Sequence, residues 1–158
     1  SDLQNADFQK ADVSQSNLRG VRAVGANFNG ALLSGTIFIE AVQAGASFEG
    51  ADMRGSYLTG ANLSGARFAG ADLANSDFSS ANLSGARIER AILKKTNFTN
   101  ANLTGAQLQN SNLTNAVLTN AELERVNLEN AVWLDGGFCQ VASFGHCIKT
   151  KPLTYPTQ

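Results

Sequence analysis

The sequence contains few of the residues that most often carry catalysis or bind metals. Among its 158 residues there are two cysteines, two prolines, one histidine, one tryptophan and one methionine. Ser-His or Cys-His catalysis would have to use His146, which stands directly before Cys147 in the sequence. A zinc site is poorly supported, because zinc takes three or four ligands and His146 is the only soft ligand besides the cysteines.

Strong charge and long apolar runs are also missing. The net charge is −1, from 12 basic and 13 acidic residues, which argues against general electrostatic attraction to nucleic acid or to an anionic membrane. No apolar run approaches the roughly 20 residues of a membrane span. No signal peptide is visible and the chain begins with Ser, as expected of either a processed mature chain or a trimmed one. The length is that of one domain.

What the sequence does have is a five-residue repeat, evident in the stretch ANLSGARFAGADLANSDF at residues 61–78. Counting by fives from position 3 to position 138 gives 28 positions, of which 22 hold Leu or Phe. Ala23 and Gln43 are the only residues at these positions that do not fit. Two residues earlier in each unit the side chain is small, with 18 Ala, five Ser and two Thr. The last residue of each unit is most often Gly or Asn.

A period of five matches neither a helix nor a flat strand, whose side-chain periods are about 3.6 and 2.0. It matches a solenoid with a corner in every unit, because Gly and Asn tolerate the positive φ that tight turns often need. We expect the large and the small residue to point inward and the remaining residues to face solvent.

The pattern resembles that of the pentapeptide-repeat family, whose unit reads A-(D/N)-L-x-x, and the match extends from Ser1 to about Cys139. The resemblance implies an all-β fold, a right-handed quadrilateral parallel β-helix with 20 residues per coil. The prediction is about seven coils over residues 1–138, followed by a cap and flexible tail over residues 139–158.

The phenylalanines support four sides independently of the resemblance. The eight that fall in register are separated by multiples of ten residues, which is half a turn of a four-sided coil. We therefore expect two opposite Phe walls, one of them stacking Phe8, Phe28, Phe48 and Phe68. Trp133, Phe138 and Phe144 are expected to cover the open core at the C-terminal end.

Cys139 and Cys147 lie eight residues apart within this cap. A disulfide that staples the cap is one interpretation, and it would imply an oxidising compartment. The alternative is a pair of free thiols in a reducing cytosol. A redox-active pair is a third hypothesis, although there is no C-x-x-C motif.

Charged and polar residues that recur at multiples of 20 positions would stack in outward-facing columns on the predicted coil. These columns offer no clear catalytic site. Asp12, Asp52 and Asp72 fall in one outward column, where solvated carboxylates are a better interpretation than an acid–base pair. Arg67 and Arg87 stack near Glu49 and Glu89, as an exposed ion ladder would. The stacked Asn columns, such as Asn62, Asn82 and Asn102, look like hydrogen-bonding ladders. No cofactor, metal or small-molecule substrate is evident.

One region places apolar residues where solvent-facing ones are expected. A contiguous apolar patch often marks an interface, so this region is a candidate surface for a protein partner or for self-association. Tolerated apolar residues spread over three faces are the alternative. The candidate residues are Val24, Leu32, Ile37, Ile39, Val42 and Tyr57.

Three functions are compatible with these features. The first is a rigid non-catalytic scaffold or interaction module, exported to a thylakoid lumen or periplasm, since the chain resembles short cyanobacterial and thylakoid-lumen family members. The resemblance also suggests a DNA mimic that binds DNA gyrase, but near-neutral charge imitates a phosphate backbone poorly. The third is a thiol–disulfide enzyme that uses the cap cysteines. A cytoplasmic location would follow if the cysteines are reduced.

Overall fold

The computed structural model describes residues 1–140 and 142–149, and this part of the chain contains no helix. Its regular structure consists of isolated parallel β-bridges rather than long strands. The predicted flexible tail is KTKPLTYPTQ, residues 149–158, and all of it except Lys149 lies outside the described residues.

Each parallel bridge joins residues that are 20 positions apart, so that Asn62 bridges Val42 on one side and Asn82 on the other. Twenty residues form one coil, and each coil contributes four bridged residues. These form four columns, which we number in chain order. Column 1 begins at Asp2, column 2 at Asp7, column 3 at Asp12 and column 4 at Asn17, and each continues in steps of 20 residues.

The corner between two columns explains why each unit ends in Gly or Asn. Gly65 and Asn75 both occupy the left-handed region, with φ of +63° and +60°. Asn62, which precedes the inward Leu63, helps to close the corner at Gly65. Its Oδ1 accepts a hydrogen bond from the Ser64 amide at 3.2 Å. This is the local turn that Asn and Asp side chains favour. The Asn columns therefore cap their own corners, and the predicted inter-coil ladder is wrong for Asn62 and its equivalents Asn82 and Asn102.

The core is formed by the large residues stacked coil on coil. Phe8, Phe28, Phe48 and Phe68 form the predicted wall, with successive ring centroids 5.0 Å apart and nearly parallel rings. Phe38 meets Phe28 and Phe48 edge to face at 6.0 and 6.2 Å. The alanines of the small positions are buried beside them, which lets neighbouring walls approach closely.

Gln43 is the exception in this core. Its side chain is 0 % exposed, yet neither its Nε2 nor its Oε1 has a hydrogen-bond partner. The residue one coil earlier in the same inward position is Ala23, and the adjacent small position holds Val21. Val21 and Ala23 are both buried, so the large and small residues have exchanged places within this unit.

The regular units end at Asp135, and the chain then reverses at Gly136 and Gly137. Phe138 bridges Val132 in the antiparallel sense, so it does not take the inward position one coil after Leu118 that the sequence pattern predicts. The expectation that Phe138 and Phe144 cover the core is wrong, because they are 67 % and 53 % exposed. Both residues follow the reversal and pair with the last coil in the antiparallel sense, outside the register of the repeat. Trp133, which precedes the reversal, packs against the core as predicted.

Candidate interaction surface

The cap is held on the last coil by antiparallel pairing. Phe144 bridges Asn127 in column 2, and Phe138 bridges Val132 in column 3. The Leu128 amide donates to the Ser143 carbonyl at 2.8 Å, which fixes the returning chain over column 2.

The two cysteines form a disulfide in this structure, with their Cα atoms 5.0 Å apart. The bond joins the outgoing part of the cap to its returning part, where Gln140 donates to the Ile148 carbonyl at 2.8 Å. Cys139 is buried and Cys147 is half-buried. With its sulfur in the disulfide, Cys147 has no thiol to offer an adjacent His146, and His146 itself is exposed.

The carboxylates of column 3 are tied to neighbours in ways that suit a solvated surface. The Arg54 Nε donates to the Asp52 Oδ1 at 2.8 Å, and its Nη2 donates to Oδ2 at 2.6 Å. These bonds hold the pKa of the Asp52 carboxyl below its ordinary value. The same guanidinium lies 3.9 Å from Asp72. Asp12 accepts hydrogen bonds from the hydroxyl and amide of Ser14, which lower its pKa as well.

The exposed ion ladder predicted around column 2 takes the form of two separate ion pairs. Arg67 contacts Glu49 with its Nε at 2.7 Å and its Nη2 at 2.5 Å. One coil further, the Arg87 Nε lies 3.2 Å from Glu89. No continuous negative stripe forms along column 2, which consists of Asp7, Asn27, Ser47, Arg67, Arg87, Gln107 and Asn127.

The structure separates the six residues of the predicted apolar patch. Ile37 and Tyr57 bridge each other directly in column 4. Leu32 lies in the neighbouring column 3, between Asp12 and Asp52.

The other three members lie further around the coil. Ile39 stands at the corner after column 4, Val42 in column 1 and Val24 at the corner after column 1. All three are half-buried, whereas Leu32 and Tyr57 are exposed.

Two exposed apolar residues were not identified from the sequence. Ile92 in column 3 is 41 % exposed and Val117 in column 4 is 44 % exposed. Both occupy the outward position that usually holds Asp or Asn, so the same pattern applied to the whole chain would have found them. With Leu32 and Tyr57, every exposed large apolar side chain of the described regular units lies in column 3 or column 4. We call these four residues and Ile37 the apolar surface.

The described residues offer no other candidate site. No pocket is found, and no three His, Cys, Asp or Glu side chains come together as metal ligands would within residues 1–140 and 142–149. The same residues include no helix of the length and apolar character that crossing a bilayer requires.

Comparison with known proteins identifies the repeat. The family of pentapeptide repeats matches eight copies, over residues 1–38, 24–60, 56–94 and 96–132. The search of curated proteins found no match.

Solved structures similar to this chain include a pentapeptide repeat protein from the Arabidopsis thaliana thylakoid lumen. It is 33 % identical over 72 % of each chain, with a TM-score of 0.47. QnrB1, a plasmid-mediated fluoroquinolone resistance protein, is 25 % identical over 82 % of this chain and 69 % of its own, with a TM-score of 0.45. HetL, a protein involved in heterocyst differentiation regulation in the cyanobacterium Nostoc, is 23 % identical over 87 % and 89 %, with a TM-score of 0.34.

Proteins with this repeat fold as right-handed β-helices, in agreement with the predicted fold class. The family match covers most of the chain, and its limits fall within the parallel columns that the structure contains. The chain belongs to the pentapeptide repeat family.

Proposed function

We propose that this protein is a non-catalytic scaffold that binds a protein partner, or a second copy of itself, through the apolar surface. The observation that carries the proposal is the distribution of exposed apolar side chains. Leu32 and Ile92 lie in column 3, and Tyr57 and Val117 in column 4, while columns 1 and 2 expose mainly polar and charged residues. They form two groups, with Leu32, Ile37 and Tyr57 in adjacent coils and Ile92 and Val117 three coils further along. Exposed apolar groups with polar neighbours on one pair of columns suit a protein interface.

The backbone suits such a role because it is held by hydrogen bonds from coil to coil. In column 4 the Phe38 amide donates to the Tyr57 carbonyl at 2.7 Å, and the Tyr57 amide donates to the Thr36 carbonyl at 3.0 Å. Adding a partner to this surface would therefore order few additional backbone groups, which keeps the entropic cost of binding low.

We also infer that the four columns are the four sides of a quadrilateral rod. The edge-to-face contacts of Phe38 with Phe28 and Phe48 support this shape, because they join residues half a coil apart across the interior. Columns 3 and 4 would then be adjacent sides, and a partner would bind over the edge between them.

Export to an oxidising compartment, such as a thylakoid lumen or periplasm, completes the proposal. The disulfide between Cys139 and Cys147 supports it. The Arabidopsis protein named above comes from a thylakoid lumen, which is compatible with the same location.

Gyrase binding by DNA mimicry is less well supported. Acids that could imitate phosphates are paired with bases, as in Asp52 with Arg54 and Glu49 with Arg67. Such pairs cancel the negative potential that would attract the positively charged surface of a DNA-binding protein.

Site-specific photo-cross-linking tests the proposed surface. A photo-reactive aromatic residue replaces Tyr57 in one variant and Gln107 of column 2 in a matched control, and each is exposed to extract from the native source. We expect a defined cross-linked species from position 57 only, and its loss when Leu32→Asn and Ile92→Asn are added. Equal cross-linking from both positions, or none from position 57, would contradict the proposal.

A further inference from the structure

The two groups of the apolar surface share one layout. The first group is Leu32, Ile37 and Tyr57, and the second group is Ile92 and Val117. Ile92 follows Leu32 in column 3 by three coils, and Val117 follows Tyr57 in column 4 by the same three coils. Three coils span about 14 Å at the usual spacing of paired strands. The rod therefore presents the same diagonal pair of apolar side chains at two heights.

The charges beside the two groups are opposite in sign. We number the coils in steps of 20 residues from Ser1 and consider columns 3 and 4 with the corner between them. In coils 5 and 6 these positions hold two bases, Lys94 and Lys95, and no acid. In coils 1–4 they hold one base, Arg54, and four acids, which are Asp12, Asp52, Asp72 and Asp77. The first group thus has an acidic surround and the second group a basic one.

Most of these charges are not used within the chain. Lys94 and Lys95 are exposed, and neither takes part in an ion pair within residues 1–140 and 142–149. The one base of the acidic surround is already occupied, because the Arg54 guanidinium binds Asp52 and reaches Asp72 at 3.9 Å. The two surrounds are therefore free to attract charges of the opposite sign from outside.

We propose that a second copy of the chain binds the apolar surface, with the two rods side by side and antiparallel. This inference rests on the proposed function and names its partner. An antiparallel copy places the first group of each chain against the second group of the other, so that one contact is made twice about a two-fold axis. Lys94 and Lys95 of each copy then lie against the acidic surround of the other.

The heights of the side chains agree with this arrangement. The axis midway between the two groups passes through coil 4, so that coil 2 meets coil 6 and coil 3 meets coil 5 of the other copy. Ile37 then lies at the height of the partner's Val117, and Leu32 lies one coil from the partner's Ile92. Apolar residues meet apolar residues in both columns, and the lysines of coil 5 face the acids of coils 3 and 4.

Other arrangements of two copies fit less well. In a parallel pair about a two-fold axis, coils of equal height meet, so that acids would lie against acids and lysines against lysines. Like charges placed together in an interface oppose binding. A parallel copy shifted by three coils would match the groups, but it would leave one group free on each chain and further copies would add without closure.

Sedimentation equilibrium of the purified full chain at several concentrations tests the proposal. We expect a species of twice the mass of one chain. Lys94→Glu combined with Lys95→Glu should raise its dissociation constant about ten-fold or more, because both lysines lose their acidic partners. Lys10→Glu combined with Arg22→Glu is the matched control, since it changes the net charge equally at exposed bases outside columns 3 and 4, and should leave the constant unchanged.

Three results would overturn the proposal. They are a single chain at about 0.1 mM, equal effects of the two double variants, and assemblies that keep growing with concentration.

Photo-cross-linking within the purified protein tests the antiparallel orientation. The photo-reactive residue at position 57 is activated, and its attachment point in the species of double mass is mapped by proteolysis and mass spectrometry. We expect attachment within residues 92–117 of the second copy, and attachment within residues 32–57 would overturn the proposal.

The same variant separates this inference from the proposed function. If the purified chain gives no cross-linked pair but position 57 captures a different protein from extract, the second copy is the wrong partner and the proposed surface stands. If position 57 gives no cross-link in either experiment, both fail.

Discussion

Gln43 differs from every other large inward residue of the repeat in carrying an amide whose two polar atoms are buried without partners. A buried polar group that makes no hydrogen bond loses its interaction with water and gains nothing in return. Its position directly follows Val42 of the predicted patch, so a core irregularity and apolar outward residues occur in the same coil.

Replacing Gln43 with Leu should stabilise the protein. Leu has a similar size and removes two unsatisfied atoms, which cost about 1–3 kcal/mol when left without partners. Denaturant unfolding should show the increase in the free energy of unfolding. Gln9→Leu, at an exposed corner, is the control and should show no gain. A Gln43→Leu protein that is equally or less stable would show that the amide is satisfied in solution.

Asp52 gives a prediction about pH. The hydrogen bonds from Arg54 hold the pKa of the folded carboxyl below that of the unfolded chain. The pair therefore adds stability above about pH 4, and this stability is lost as the pH falls through the lower folded pKa. Arg54→Gln should raise the Asp52 pKa toward its ordinary value in an NMR titration. Arg19→Gln, which removes a base that pairs with Glu40, should leave it unchanged, and equal Asp52 pKa values in all three proteins would contradict the assignment.

The corners and walls are the elements that the repeat builds, and each can be tested separately. At the corners the backbone conformation decides which residues fit. In the walls the decisive quantity is the apolar surface buried between stacked side chains.

Gly65→Val should destabilise the corner through the backbone alone. A Cβ added at Gly65 meets no atom within 4 Å, so no steric clash contributes. The left-handed conformation at φ of +63° costs a branched residue about 1–2 kcal/mol. Gly65→Asn should cost less, because Asn75 occupies the same conformation at the next corner but one. Thermal or denaturant unfolding would measure both, and equal losses would contradict this explanation.

Phe48→Ala should cost about 3–5 kcal/mol of unfolding free energy. The ring stacks between Phe28 and Phe68 at 5.0 Å on each side and contacts Phe38 edge to face, so its removal leaves a cavity in the middle of the wall. Tyr57→Ala, which removes an exposed aromatic side chain, is the matched control and should cost far less. Similar losses for the two variants in denaturant unfolding would contradict the wall assignment.

The repeat made the coils predictable, because each position in the unit has one structural role. Residue type alone identified the corners at Gly65 and Asn75 and the wall from Phe8 to Phe68, and the structure contains both. The same rule failed at Phe138, since it takes no account of the reversal that Gly136 allows at φ of +84°.

The candidate site was only partly predictable for a different reason. Leu32 and Tyr57 were predicted because they occupy outward positions that usually hold a polar residue. The 20-residue period also assigns Ile92 and Val117 to their columns, but those two lie outside the irregular region from which the patch was predicted. The columns place Ile92 and Val117 with them and move Val24 and Val42 elsewhere.

At the scale of the whole molecule, the chain is a stack of coils closed at one end by a stapled cap. Coil-on-coil pairing gives each coil its stability from its neighbours, as in other repeat proteins. The cap pairs with two columns of the last coil, and the disulfide links its outgoing and returning parts. Because a disulfide of this kind persists in an oxidising compartment, the staple connects the fold to the proposed location.

The most direct test of a stapled, exported scaffold is the redox state of Cys139 and Cys147 in protein taken from its native source. Intact mass is measured after alkylation, with and without prior reduction. We expect alkylation to add mass for two thiols only after reduction. Labelling of both thiols without reductant would contradict it, and would place the protein in a reducing compartment with an unstapled cap.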